Sequence, residues 1–159
     1  MIILVMGVVG AGKTTVGQLL AREIEFAFFD ADDFHPQANR EKLARGIPLT
    51  DEDRTPWLIT LAQQIQQWQN SGQNVVLACS ALKARYRAVL GGPALIVIYL
   101  KGTMALLQER LDRRRGHFAD SHILMSQLED LEVPTDGLTV DITQPPAALV
   151  ATIRQVIGR

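Results

Sequence analysis

The chain has 159 residues, a formal net charge of −1 and a hydrophobic fraction of 47%. A chain of this length is expected to form one domain with a real hydrophobic core. Because its charges balance, no global basic field favours nucleic acid or an anionic membrane surface. No stretch approaches the roughly 20 apolar residues of a membrane span, and the apolar N-terminus lacks the basic segment of a signal peptide. We therefore expect a cytoplasmic protein that binds neither nucleic acid nor membranes.

Cysteine and histidine are scarce in this chain. The single cysteine, Cys79, excludes an internal disulfide and fits a reducing compartment. It ends an apolar run, which favours a buried, inert thiol over a nucleophile. His35, His117 and His122 lack the spacing of metal ligands, so a zinc site is not expected.

The first predicted element is a buried strand over Ile2–Met6, and the run Gly7-Val8-Val9-Gly10-Ala11-Gly12-Lys13-Thr14 follows it. This run matches the pattern G-x-x-x-x-G-K-[ST] of a phosphate-binding loop, in which backbone N–H groups surround the phosphates. Lys13 adds positive charge near the β- and γ-phosphates, and the Thr14 hydroxyl can ligate Mg²⁺. The alternative is a chance glycine-rich turn, but apolar residues at helical spacing come next, as the mechanism requires. The predicted nucleotide-binding residues here are Gly7, Val8, Val9, Gly10, Ala11, Gly12, Lys13, Thr14 and Thr15.

Carboxylates follow the second predicted strand, Phe26–Phe29. If the chain stays extended, the side chains of Asp30 and Asp32 point the same way. Phosphoryl transfer needs one carboxylate near Mg²⁺ and one that accepts the proton of the attacking hydroxyl. We assign Asp30 to the metal side and Asp32 to the substrate hydroxyl; the alternative is a set of solvated acids near a helix start.

Residues 30–54 are polar and predict a substrate-covering insertion with one short helix, Pro36–Arg45. A solvated surface segment is the alternative. Arg54 ends an acidic stretch, and its role stays open between a local ion pair and substrate binding. The next helix is predicted to begin with Thr55 as N-cap and Pro56 at the first helical position. Gly72 closes it.

A third strand over Val75–Cys79 leads into the basic segment Ser80–Arg87. Lys83 and Arg87 lie four residues apart, which on one helix face gives a clamp for an anionic substrate. A solvated basic helix face is the alternative.

A fourth strand over Leu95–Leu100 precedes a helix capped by Thr103, and a fifth strand covers Leu138–Ile142. Between them, residues 113–132 begin with basic residues and predict a lid. Guanidinium groups that arrive on lid closure neutralise phosphate charge, so one or two of the lid arginines should reach the phosphates. These arginines are Arg110, Arg113, Arg114 and Arg115.

Five strand–helix units with a phosphate loop after the first strand predict a three-layer α/β domain with a five-stranded parallel sheet. We expect one domain over residues 1–159, with the insertion at about 30–54 and the lid at about 113–132.

Several blocks of this sequence together resemble the thermoresistant type of gluconokinase, a family of small P-loop kinases. The phosphate loop alone is shared by many families, whereas the blocks His35-Pro36, Pro48–Leu58 and Cys79–Lys83 together are specific. The matching blocks run in the right order over almost the whole chain. The matching blocks are Asp30-Ala31-Asp32-Asp33-Phe34-His35-Pro36, Gly46-Ile47-Pro48-Leu49-Thr50-Asp51-Glu52-Asp53-Arg54, Pro56-Trp57-Leu58, Cys79-Ser80-Ala81-Leu82-Lys83, Tyr86-Arg87, Tyr99-Leu100-Lys101-Gly102 and Gly116-His117-Phe118. Leu128 departs from the family, since phenylalanine usually follows Ser126-Gln127.

The resemblance implies transfer of the ATP γ-phosphoryl group to D-gluconate, with Mg²⁺ required, on a fold like that of nucleoside monophosphate kinases. It also implies a homodimer. Lys13, Asp32 and Arg114 would be catalytic, and Arg110 and Gln144 would join the nucleotide site. The residues that the resemblance implies around gluconate are Asp32, His35, Arg54, Lys83 and Arg87. His117, next to Gly116, joins the predicted substrate site as a group whose hydrogen bond closes the lid; a general base is the alternative.

Other functions are less well supported. Another small-metabolite kinase, acting on shikimate or a nucleoside monophosphate, would share the loop and the sheet. A GTPase switch would need an Asn-Lys-x-Asp motif, which the chain does not contain. A silent nucleotide-binding module is disfavoured because Lys13, Thr14, Asp30 and Asp32 are all present.

Overall fold

A computed structural model of the chain describes residues 1–114 and 118–159. Within these ranges the chain forms a five-stranded parallel sheet in the order β2-β3-β1-β4-β5. The strands are β1 (Ile2–Met6), β2 (Ala27–Asp30), β3 (Val75–Ala78), β4 (Leu95–Lys101) and β5 (Leu138–Asp141). The predicted sheet is confirmed, and each predicted strand matches an observed one to within a residue at either end.

Helices connect these strands and cover both faces of the sheet. They are α1 (Lys13–Ile24), α2 (Gln37–Ala44), α3 (Asp51–Asn70), α4 (Ala84–Leu90), α5 (Met104–Arg113), α6 (Phe118–Asp130) and α7 (Pro146–Ile157). Short 3₁₀ helices cover Ala31–Phe34 and Gly92–Ala94. In the ranges that the structure describes, no helix combines the length and apolar character needed to cross a bilayer.

Two hydrophobic cores lie on opposite faces of the sheet, and β1 contributes to both. Ile3 and Val5 face the core that includes buried residues of α1, α5 and α7. Ile2, Leu4 and Met6 face the other core, which includes buried residues of α3 and α4. Every residue of β1 is therefore buried, which explains why the strand reads as a continuous apolar run.

The strand order places β1 between β3 and β4, at the centre of the sheet. The connections after β1 and after β3 lead to opposite sides of β1, so the direction of winding reverses here. In open parallel sheets, ligands bind beyond the carboxyl ends of the strands at such a point. The phosphate loop leaves the carboxyl end of β1, so the fold sets it at the expected position for a ligand.

The start of α3 differs from the sequence prediction. The helix begins at Asp51, with Thr50 as its N-cap, and it runs through Pro56 without ending. Thr50 Oγ1 accepts from the Asp53 N–H at 3.1 Å, and Asp53 Oδ2 accepts from the Thr50 N–H at 2.9 Å. This capping box satisfies two N–H groups at once, and it outweighs the preference of proline for the first helical position. The predicted N-cap at Thr55 is therefore wrong.

Candidate active site

The phosphate loop runs from Met6 at the end of β1 directly into α1. Gly10 and Gly12 adopt φ values of 85° and 95°, in the left-handed region that favours glycine. Gly12 is the N-cap residue of α1, and no side chain of the described residues caps this helix. Its first N–H groups are thus available to an anion, and no acidic residue in the first turn repels one.

Lys13 opens α1, but its side chain turns back over the loop, where Nζ donates to the Val8 carbonyl at 3.0 Å. Burial lowers the pKa of Lys13, and the Asp32 and Asp30 carboxylates oppose that shift. A phosphate at the loop would offer this ammonium a stronger partner than a neutral carbonyl oxygen.

The Thr14 hydroxyl and the Asp30 carboxylate form a pair, with Thr14 Oγ1 donating to Asp30 Oδ2 at 3.0 Å. Hydroxyl and carboxylate oxygens are the hard ligands that Mg²⁺ prefers. Among the residues that the structure describes, no three His, Cys, Asp or Glu side chains are arranged to hold a metal ion. The pair therefore suits an ion that completes its shell with water and substrate phosphates.

The chain does not stay extended after β2, which corrects the prediction that Asp30 and Asp32 point the same way. It turns into a 3₁₀ helix at Ala31, and Asp30 Oδ1 accepts from the Asp32 N–H at 3.0 Å. Asp32 nevertheless lines the same cleft as Lys13. Its carboxylate is exposed in the open cleft, but the protein around the cleft displaces much of the nearby bulk water, which raises the pKa of Asp32. The Asp30 carboxylate raises it further.

His35 lies against the wall of this cleft, 9% exposed, with its ring stacked on Trp57 at a centroid distance of 4.3 Å. Asn39 Nδ2 donates to the Asp53 carbonyl and lies 3.2 Å from His35 Nδ1. Since Asn39 offers an N–H, the hydrogen-bond network assigns Nδ1 as acceptor and Nε2 as the protonated nitrogen. Burial lowers the pKa of His35 to about 4, so the ring is neutral near pH 7. Its Nε2 lies 3.8 Å from Asp32 Oδ1.

Arg54 also lines the cleft, although it is only 7% exposed. Its Nη1 donates to the Tyr86 hydroxyl and to Asp130 Oδ2, both at 3.0 Å. The local ion pair considered for Arg54 does not form, because its carboxylate partner lies 76 residues away at the end of α6. The guanidinium is thus held between α4 and α6, at the rim of the cleft.

Lys83 and Arg87 do not form the predicted clamp. Lys83 precedes the first residue of α4, and its Nζ donates to the Asp51 carboxylate at 3.0 Å. Arg87 donates to three backbone carbonyls, those of Ala81, Leu82 and Glu132, at 2.7–3.1 Å. Neither side chain is among those lining the cleft. Because its guanidinium already donates to three backbone carbonyls, Arg87 is not free to bind a substrate in this structure. Helical spacing alone does not predict these hydrogen bonds.

A second cavity, of about 250 Å³, lies on the other side of the phosphate loop. It brings together Arg110, Arg114 and Gln144 beside Gly10 and Gly12. Arg110 Nη2 donates to the Ile142 carbonyl at 2.5 Å, which ties α5 to the end of β5. Of the residues predicted to bind nucleotide, Gly10, Ala11, Gly12, Thr15, Arg110 and Gln144 line this second cavity, whereas Val9 and Lys13 line the first cleft. His117 lies outside the described residues.

The first cleft has a volume of about 170 Å³ and includes residues that the sequence prediction did not select. Some of them are apolar wall residues, and others are polar residues of the β3–α4 connection and of α6. They are Leu43, Pro48, Leu49, Trp57, Ser80, Ile123, Ser126 and Gln127. Ser126-Gln127 matched the family pattern, and this match was the one sequence signal for the contribution of α6.

The phosphate loop, the hydroxyl–carboxylate pair and the cleft with Asp32 define an ATP-dependent kinase of the P-loop class. A family model described as shikimate kinase matches residues 9–132. The thermoresistant gluconokinase of Escherichia coli (strain K12) is 43% identical over 164 residues, covering 99% of this chain and 94% of that protein. The chain belongs to the gluconokinase family, as its sequence blocks predicted.

Solved structures agree with this assignment. An unliganded sugar kinase from Janibacter sp. HTCC2649 is 40% identical, with a TM-score of 0.91 over 99% of this chain and 94% of that one. A gluconokinase from Sinorhizobium meliloti 1021 is 38% identical, with a TM-score of 0.83 over 98% of this chain and 94% of that one. The predicted fold class and the prediction of a kinase are therefore confirmed.

Proposed function

We propose that this protein transfers the γ-phosphoryl group of ATP to the terminal hydroxyl of D-gluconate, which gives 6-phospho-D-gluconate and ADP. One observation carries the proposal: Lys13 of the phosphate loop lines the same cleft as Asp32, His35 and Arg54. A phosphate donor and a polar acceptor can therefore meet there. The named activity of the relatives supports gluconate as that acceptor.

ATP would lie across the loop, with its phosphates on the first N–H groups of α1 and on Lys13. Arg110, Arg114 and Gln144 would contact it from the second cavity. Mg²⁺ would be held by Thr14 and Asp30, whose oxygens pair at 3.0 Å; when bound, it would neutralise charge on the β- and γ-phosphates.

Gluconate would lie in the first cleft. Arg54 suits its carboxylate, because a guanidinium fixed by Asp130 and Tyr86 loses little freedom on binding. The neutral His35 ring can donate from Nε2 to an acceptor oxygen. Lys83 and Arg87 have other partners and are not among the proposed gluconate contacts. His117, which lies outside the described residues, stays a proposed contact.

Asp32 is the base of the proposed reaction. The terminal hydroxyl oxygen bonds to the γ-phosphorus while the bond to the β,γ-bridging oxygen breaks and ADP leaves. Asp32 takes the hydroxyl proton late in this step. Its raised pKa makes it a better proton acceptor than an ordinary aspartate.

The domain organisation belongs to the same proposal. Residues 1–159 would act as one kinase domain, with residues 30–54 covering the substrate and residues 113–132 closing as a lid. Likeness to the family supports a homodimer and a cytoplasmic location. Light scattering at micromolar concentration would test the dimer, since a mass of about twice 17.6 kDa is expected.

Shikimate phosphorylation is the second candidate, because the matched family model is described as shikimate kinase. A coupled ADP-release assay with Mg-ATP and a panel of sugar acids, shikimate and nucleoside monophosphates separates the two. We expect the highest kcat/KM with D-gluconate. A higher value with shikimate or a nucleotide would refute the proposed acceptor.

A further inference from the structure

Gln127 of α6 makes a direct contact with the phosphate loop that the proposed mechanism does not use. Its Oε1 accepts from the Val9 backbone N–H at 2.7 Å, across 118 residues of sequence. A backbone N–H can only donate, so the amide atom facing Val9 must be the oxygen. The orientation of the Gln127 amide is thereby fixed, and its NH₂ group points away from the loop backbone.

Val9 belongs to the acceptor side of the loop. It lines the first cleft with Gln127, Asp32 and His35. The second cavity is instead lined by the loop from Gly10 onwards. The N–H of Val9 is therefore occupied by Gln127 of α6, and the N–H of Ala11 donates to the Val8 carbonyl at 3.1 Å.

The NH₂ group of Gln127 has no acceptor among the described residues. In the part of the chain that the structure describes, every buried side-chain nitrogen or oxygen has a partner. The unpartnered Nε2 of Gln127 is therefore not buried but open to the cleft. A donor that lines the cleft without an internal partner is available to whatever occupies the cleft. In the proposed function, which this inference deepens, the occupant is a polyol acid with several hydroxyl oxygens.

We propose that Gln127 is a specificity-determining residue of the acceptor site, anchored through its amide oxygen to Val9 and donating from Nε2 to one hydroxyl oxygen of the acceptor. A site built to pair with a hydroxyl discriminates strongly against an analogue that lacks it, because a polar group is then left without a partner. Gln127 of α6 thus contacts the acceptor and the phosphate loop at the same time.

The test compares D-gluconate with its monodeoxy analogues, each lacking one hydroxyl, as acceptors for the wild-type protein and for Gln127→Met. In the wild type, removal of the recognised hydroxyl should lower kcat/KM by about 10- to 100-fold. In Gln127→Met, the kcat/KM for D-gluconate should exceed that for the same deoxy analogue by no more than about threefold, because the donor is gone. Ratios for the other hydroxyls and the KM for ATP should stay close to wild type.

Gln108→Met is the matched control. Gln108 of α5 also binds α6, through Ser121 Oγ at 2.9 Å, but it does not line the cleft. This variant should keep every wild-type ratio. If Gln127→Met does not fold, Gln127→Glu keeps an oxygen for Val9 and loses the donor; its added charge acts on all the acids alike and cancels in the ratio.

Unchanged ratios for every hydroxyl in a Gln127 variant that turns over gluconate would overturn the inference. An equal loss with every acceptor and with ATP would also overturn it, since Gln127 would then only dock the lid. Failure of the proposed function is distinguishable, because in that case the wild type itself would not phosphorylate gluconate.

Discussion

The two sides of the cleft are built in different ways. On the donor side, a short continuous segment from Gly7 to Thr15 supplies backbone N–H groups, one ammonium and one hydroxyl. On the acceptor side, Asp32, Arg54 and Gln127 come from three separate elements. A site made from contiguous backbone depends little on the rest of the fold, whereas the acceptor site exists only once distant elements have packed.

The difference has a functional consequence. The donor side is suited to one task, binding phosphates, and its chemistry follows from a local pattern. The acceptor side is made of side chains that hold one another in place, as Arg54 is held by Asp130 and Tyr86. Variants on the donor side should therefore abolish turnover. On the acceptor side, a variant of the base Asp32 should lower kcat, while variants of the other residues should shift affinity or stability.

The largest effect is expected for Lys13→Ala. Loss of the ammonium removes charge stabilisation where charge develops in the transition state, so kcat should fall by about a thousandfold or more. Steady-state assays with Mg-ATP and gluconate measure this change. Lys101→Ala, an exposed lysine at the end of β4, is the control and should retain activity. Near-normal kcat in Lys13→Ala would refute the phosphate site.

Asp32→Asn should come next, because it removes the proton acceptor but keeps the size of the side chain. We expect kcat to fall by about 100- to 10,000-fold, with the KM for ATP within a few-fold of wild type. Asp33→Asn, at the exposed neighbouring position, should behave as wild type. Equal losses in kcat and ATP affinity would instead move Asp32 to the metal side.

Arg54→Met should act mainly on gluconate. The variant loses the charged partner of the acceptor carboxylate, so the KM for gluconate should rise by about 10- to 100-fold, as for one charge-assisted contact. Asp130→Asn keeps the guanidinium in the cleft and should cause a smaller rise. If both variants leave the KM for gluconate unchanged, the carboxylate binds elsewhere.

Arg87→Met separates a structural arginine from a substrate contact. The guanidinium satisfies three carbonyls at the join of β3, α4 and residue 132. Its loss should lower the free energy of unfolding by about 2 kcal/mol, measured by urea denaturation, while the KM for gluconate stays within about twofold. If Arg87→Met keeps wild-type stability but has a much higher KM for gluconate, Arg87 contacts the substrate, as the predicted clamp required.

The last prediction concerns the dependence of stability on pH and on His35. Burial, followed by the positive charges of Arg40 and Arg54, lowers the pKa of His35 from 6.5 to about 4. Between pH 6.5 and about pH 4, His35 therefore binds a proton in the unfolded chain but stays neutral in the folded chain. The stability that neutral His35 contributes is present above pH 6.5 and is lost as pH falls towards 4.

His35→Gln removes this titration and should flatten the fall in melting temperature between pH 7 and pH 4.5. The relevant quantity is the difference between wild type and variant, because carboxylates such as Asp32 titrate in both proteins. If melting temperature falls with pH equally in the wild type and in His35→Gln, the pKa of His35 is not lowered by folding, and this prediction is wrong.

A local sequence pattern predicts the donor side more fully than the acceptor side. The residues from Gly7 to Thr15 are contiguous, so a pattern was sufficient. The pairing of Arg54 with Asp130 spans 76 residues, and no local pattern indicates it. The contact of Gln127 with Val9 spans 118 residues and was missed for the same reason.

Local rules also competed with one another. At α3, the preference of proline for a helix start favoured Thr55 and Pro56, but the capping box of Thr50 and Asp53 determines where the helix begins. At α4, the spacing of Lys83 and Arg87 suggested one helix face, yet Lys83 precedes the helix. The five strands were predicted well because burial on both faces leaves continuous apolar runs.

The central claim is that the donor side delivers a phosphoryl group to the terminal hydroxyl of gluconate. Phosphorus NMR of the product formed from Mg-ATP and D-gluconate tests it most directly. We predict one phosphomonoester signal coupled to the two protons of the terminal carbon, formed in equal amount to ADP. A phosphoester on another carbon, or ADP released without any phosphorylated acid, would contradict the account.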